Sequence, residues 1–312
     1  MRRYSHSPRR RAYGFSLVEL VVVIAITGVI AATVGIFILR PVQGYNAQVR
    51  RAELVDAAES ALRRMQRDIR ASLPNSVRIR TNGATTGDAT CPNGGDTVCV
   101  IEMLHAVDGA RYRAGPPGAE TQILRFDGTD IEFDAVSSFQ NGGVIVPANN
   151  PWVVVNNQTA SPAVTEFNAY NCPAALAGAR HNCVRMAAAS TPLTDPPHIV
   201  LGAAFTPVAP SLASQRQRFF VVDMPVTYRC DTTTGRLERY QAYAIALAQP
   251  VTPAGVPARV ADLVTRCRFT YTAGTTARSG LLTLELTLTD PNVNGQQEQI
   301  RLLHQVHVYN VP

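Results

Sequence analysis

The side chains able to do chemistry are few and poorly grouped. His304 and His307 stand three apart in "EQIRLLHQVHVYN", whose alternating apolar and polar residues predict a strand. Strand residues three apart point to opposite faces, so these imidazoles cannot share one ion from that element. Asp127, Asp130 and Asp134 gather around an Asp-Gly pair. Carboxylates clustered at a hairpin suit calcium, although the turn accounts for Asp127 without an ion. No cofactor is expected; structural calcium is the one ion the pattern leaves open. Asn157-Gln158-Thr159 matches the glycosylation triplet, a pattern of low specificity.

All 29 basic residues are arginine. The lack of lysine excludes Schiff-base chemistry, a P-loop lysine and a Ser-Lys dyad. No G-x-S-x-G, H-E-x-x-H or glycine-rich phosphate loop occurs. The expectation is a non-enzyme. The six cysteines, Cys91, Cys99, Cys172, Cys183, Cys230 and Cys267, form no C-x-x-C pair, which argues against a zinc ribbon or a thioredoxin-like site. An even count in an exported chain points to disulfides. Fifteen connectivities are possible; closure between sequence neighbours (Cys91–Cys99, Cys172–Cys183, Cys230–Cys267) is the simplest.

The formal charge of +6 is concentrated at one end: Arg2, Arg3, Arg9, Arg10 and Arg11 precede residue 15 without an acid, and the remaining 24 arginines face 23 acids. The body is nearly neutral, and its basic residues are not interleaved with aromatics. No nucleic-acid partner is expected.

The five arginines introduce the run from Phe15 to Leu39, 25 residues with Glu19 as the only charge. At 1.5 Å per residue this crosses a ~30 Å hydrocarbon core, and the arginines keep the N-terminus cytoplasmic. The run is too long for a signal peptide, and Phe37-Ile38-Leu39-Arg40-Pro41 is no small-residue cleavage site. A transmembrane helix is therefore predicted over 15–40. A charge at mid-bilayer costs on the order of 2.5–3.5 kcal/mol, and less near the end where Glu19 lies. It still needs a partner.

Pro41 predicts a break or kink. Helical periodicity resumes to about residue 73, with Leu54, Ala58, Ala61, Leu62, Met65 and Ile69 on one stripe, Glu59 and Arg63 paired on the polar side, and Pro74 as terminator. The remainder, 74–312, reads as β-rich. Hairpins are predicted in "QILRFDGTDIEFD", in "PVTYRCDTTTGRLERYQAYAIA" around Asp231–Gly235, and from "LLTLELTLTD" through Pro291–Gly295 into the last strand. In that strand pair Leu282, Leu284, Leu286 and Leu288 should face inward. Residues 139–163 and 171–214, rich in Pro, Asn, Ala and Gly, read as surface loops with few regular elements.

The stretch "GFSLVELVVVIAITGVIAA" resembles the N-terminal signature of type IV prepilins and type II secretion pseudopilins. The resemblance implies an α+β pilin-like fold, in which a long N-terminal helix, half transmembrane and half amphipathic, packs on a β-rich antiparallel head. It implies a basic leader over 1–14, a prepilin peptidase cut between Gly14 and Phe15, and N-methylation of Phe15. Glu19 would then meet the new ammonium of a neighbouring subunit inside a filament, where an unpaired charge is costly. Further along, "RRAELVDAAESALRRMQRDIRASLPNSVRIR" at 50–80 and "LLHQVHV" at 302–308 resemble the MshO-type minor pilins of the mannose-sensitive haemagglutinin pilus. That branch is similar to the J-type minor pseudopilin of type II secretion. It implies a structural protein that initiates or caps a filament. The implied partners are the peptidase/N-methyltransferase, other minor pilins, the major pilin and the assembly platform. The implied location is the bacterial inner membrane, single-pass with a periplasmic head, and then the filament, at its tip. The rival readings are the J-type pseudopilin itself and an enzyme or adhesin held by a signal anchor.

Overall fold

The computed structural model describes residues 14–83, 90–92, 95–164, 166–173, 182–207, 212–274, 279–291 and 297–308. The expected leader up to residue 13 and most of the turn after Pro291 lie outside these. The chain divides into two units, Met1–Ala52 and Glu53–Pro312, and helix α1, Leu17–Arg70, contributes to both.

In the first unit α1 is apolar around its circumference over Leu17–Ile38, with Glu19 as the one charge, and the large side chains of that span are exposed. It also runs through Pro41, so the break expected there is absent. A proline removes one amide donor at ~3 kcal/mol in a helix interior. A helix with long favourable runs on both sides continues past that loss.

In the second unit the apolar stripe of α1 is buried: Ala58, Leu62 and Met65 have no exposed surface. These side chains share a core with Ile79, Ile101, Met103, Tyr228, Phe269 and the four alternating leucines Leu282, Leu284, Leu286 and Leu288. The helix ends at Arg70, short of the proline expected to stop it. The amide of Leu73 donates to the Leu104 carbonyl at 2.8 Å, and Ser72 bridges to His105. Pairing with a strand thus takes the chain before Pro74 is reached.

Thirteen strands follow among the described residues: β1 Arg78–Thr81, β2 Thr90–Cys91, β3 Val98–Arg111, β4 Glu132–Asp134, β5 Trp152–Val155, β6 Cys183–Arg185, β7 His198–Val200, β8 Arg218–Asp231, β9 Arg236–Tyr240, β10 Ala258–Ala261, β11 Val264–Thr272, β12 Gly280–Asp290 and β13 Glu298–Val308. All pairings are antiparallel. A seven-stranded sheet has the order β1-β3-β8-β5-β6, with β9 also on β8 and β10 on β9; a four-stranded sheet runs β13-β12-β11-β2. β8 serves two partners in turn along one edge: its first half pairs with β5 and its second half with β9. This follows from its length and its two-sided apolar character.

Two of the three predicted hairpins form, β8–β9 and β12–β13. The first does not. Asp127 closes a turn by accepting from Thr129, and Gly128 sits at φ +92°. However, residues 122–126 form no strand, and β4 pairs instead with the distant β7. The stretches 139–163 and 171–214 hold few regular elements, as expected, but their short strands β5, β6 and β7 include the fully buried β5, so they are not wholly surface. A second core gathers Phe133, Val153, Val155, Met186, Ile199 and Phe219. Short runs such as "WVVV", buried on both faces, join the sheet through non-local pairing and leave no alternating pattern to read.

Candidate functional site

Gly14, Phe15 and Ser16 precede the helix in irregular backbone, and Phe15 is 80 % exposed. Ser16 is the cap of α1. Its Oγ accepts from the Glu19 amide at 3.1 Å, and its carbonyl takes the first helical bond, from Leu20. Serine at the cap with glutamate three positions on is the capping-box spacing, and Glu19 lies in the first turn, where the helix dipole favours an anion. The spacing was present in the sequence and gives Ser16 a role that the filament argument passes over. Beyond it Leu17–Ile38 spans 22 residues at a mean hydropathy of 2.8, none of it buried; that is about 33 Å of helix. The two threonines in this stretch bond back to the helix. Thr27 Oγ1 donates to the Val23 carbonyl, and Thr33 Oγ1 to those of Val29 and Ile30. What the segment can do is insert in a bilayer or pack against copies of itself, with one carboxylate near its start.

The head holds its polar groups in paired anchors. Arg78 and Glu102 are cross-strand partners on β1 and β3, fully buried, with Nη2 3.2 Å from both carboxylate oxygens. Arg78 also donates to the carbonyls of Leu247 (2.6 Å) and Ala246 (2.9 Å), and its guanidinium lies 3.5 Å from the Tyr170 ring centroid. Burial pushes the Glu102 carboxyl up, against the pull of Arg78. Removing one member would strand a buried charge at roughly 3–5 kcal/mol. A second anchor, Asp68 on α1, accepts from Tyr228 Oη at 2.7 Å and Arg239 Nε at 2.6 Å. These groups fasten the helix and the 246–249 segment to the sheet; they form no catalytic arrangement.

The expected site residues separate in space. His304 pairs with Glu59 at 3.0 Å, and together with Arg63 it holds the Glu59 carboxyl below its ordinary range, Arg63 contributing most. His307 lies on the exposed face of β13. Asp127 belongs to its turn, Asp130 to Arg125, and Asp134 to His198 Nδ1 at 2.7 Å. Among the described residues no group of three or more metal-binding side chains forms. Asn157 is not offered for glycosylation: it is 2 % exposed, its Nδ2 donates to the Pro74 carbonyl at 2.7 Å, and its Oδ1 accepts from the Ala169 amide at 2.8 Å. The cysteines are bonded Cys91–Cys99, Cys172–Cys183 and Cys230–Cys267.

Residues 9–35 match the prokaryotic N-terminal methylation motif. No curated protein and no solved structure matches the chain. The motif and the exposed apolar helix mark a single-pass, membrane-anchored chain with a prepilin-type start, carrying an α+β head of antiparallel sheets.

Proposed function

We propose that the protein is a minor pilin, processed and built into a type IV filament of the mannose-sensitive haemagglutinin kind, where it initiates or caps assembly. The observation that carries this reading is the methylation-motif match over residues 9–35, continuous with the exposed apolar helix Leu17–Ile38. In this account a prepilin peptidase cuts between Gly14 and Phe15, Phe15 is N-methylated, and the Glu19 carboxylate neutralises a neighbouring subunit's terminal ammonium at the same depth. The pairing favours one axial offset between subunits and penalises the rest. The partners are the peptidase/N-methyltransferase, the other minor pilins, the major pilin and the inner-membrane assembly platform. The J-type pseudopilin reading differs in the machine served and shares these steps. The role is structural, and the head sits outside the membrane at the filament tip.

Mass spectrometry of the membrane fraction tests the reading. An N-methylated peptide beginning at Phe15 is the expected result. A peptide beginning at Met1, or one cut beyond Leu39, overturns it.

A further inference from the structure

On one face of the β3–β8 ribbon Arg111 stands directly opposite Arg218, and the next pair on that face is Gly109 opposite Phe220. Like charges placed directly opposite destabilise a sheet. A cavity of about 360 Å³ opens over these residues with Ser137 at its side. A second, of about 350 Å³, continues past the two arginines to Arg216. The floor depends on Gly109: a Cβ there would come within 2.8 Å of Phe220 Cδ1, so the ring lies across the glycine.

The turn that presents Arg216 is fastened. Ser214 N donates to Tyr112 Oη at 3.1 Å, and the amides of Arg216 and Arg218 point to Ser214 Oγ at 3.3 and 3.2 Å. Arg111 and Arg216 are exposed and Arg218 half-buried. Among the described residues no carboxylate pairs with any of the three. Asp108, close by in sequence, gives its oxygens to the amides of Gly109 (2.7 Å) and Asn141 (2.5 Å). Outside the described residues the only acid in the chain is Asp88.

We propose that this groove binds a tetrahedral oxyanion, phosphate or sulfate, either free or as an ester. Guanidinium groups fork onto such oxygens in pairs, and one dianion between Arg111 and Arg218 turns a repulsive pair into a bridged one. Arg216 and the Ser137 hydroxyl supply further donors. The Phe220 ring gives the carbon of an ester an apolar wall. The volume admits an ion with a small carbon group, not a helix or strand. The inference rests on the head alone and is independent of how the N-terminus is processed.

The test is calorimetric titration of the full-length protein in detergent at low ionic strength, using inorganic phosphate and glucose 6-phosphate. Saturable binding is expected, weakened about tenfold or more in Arg111→Gln/Arg218→Gln and severalfold in Arg216→Gln, with Arg236→Gln unchanged. Leader arginines are common to every variant and produce no difference between them. Tighter binding of the sugar phosphate identifies an ester ligand, and equal binding identifies the free ion. Equal affinity in the wild type and the double variant, or the absence of saturable binding, overturns the proposal. Should the double variant not fold, an unchanged affinity in Arg216→Gln overturns it.

Discussion

Cys99 and Cys230 stand directly opposite one another on β3 and β8, yet neither is bonded to the other. Cys99 reaches to Cys91 on β2 and Cys230 to Cys267 on β11. Both bridges therefore cross from the seven-stranded sheet to the four-stranded one, and the two sheets close over the α1 stripe as one stapled core.

The longer of these bridges joins residues 37 apart, and loop-closure entropy gives it about 3–4 kcal/mol. Cys230→Ala/Cys267→Ala is expected to lower stability by about that amount in urea unfolding followed by circular dichroism. An unchanged midpoint would mean that packing alone holds the sheets together.

Asn157 ties the chain after the helix to the segment leading to Tyr170. Its side chain makes two hydrogen bonds and its carbonyl accepts a third, from Asn75 Nδ2 at 2.9 Å. Asn157→Ala removes the two side-chain bonds and leaves a buried carbonyl and a buried amide unpaired, at roughly 2–4 kcal/mol together. A lower melting temperature with an unchanged far-ultraviolet spectrum is the expected outcome.

His105 Nδ1 donates to Asp223 Oδ1 at 2.8 Å, and this bond raises its pKa against the opposing effect of burial. A histidine raised in the folded state stabilises below its unfolded value of ~6.5 and loses that contribution as pH climbs through the folded value. Wild type should therefore lose stability relative to His105→Gln as pH rises above the unfolded value of ~6.5. Parallel pH profiles would show that the pair adds nothing.

Ser16→Ala removes the cap at a cost of about 1 kcal/mol. Amide exchange in the first turn of α1 should quicken about fivefold in micelles, with the interior of the span unaffected. Glu19→Ala, by contrast, should still insert in the membrane yet enter filaments poorly, read by its abundance in sheared filament fractions. Normal incorporation would remove the charge-pairing account.

The parts of this molecule that could be read in advance are those with strong local periodicity. Leu54 through Ile69 repeat every three or four residues, and Leu282 through Leu288 every two; both stripes are buried as the periods require. Gly235, at φ +68°, closes the β8–β9 turn that its sequence announces. The parts that escaped depend on distant partners. β5 finds β8 more than sixty residues on, and β4 finds β7 at a similar distance. Arg78 and Glu102 meet only because of the β1–β3 register. No local pattern encodes such meetings. Ser16 is a different case: the Ser-x-x-Glu spacing of a capping box stands in the local sequence itself.

The cap at Ser16 has a consequence for proteolysis. Because the first helical bond starts there, the peptide link between Gly14 and Phe15 lies in irregular backbone, outside the helix that begins at Leu17. If the proposed cut falls between Gly14 and Phe15, the peptidase would meet that bond already unwound, and the Ser16 hydroxyl would act as a ruler fixing where the reachable chain stops.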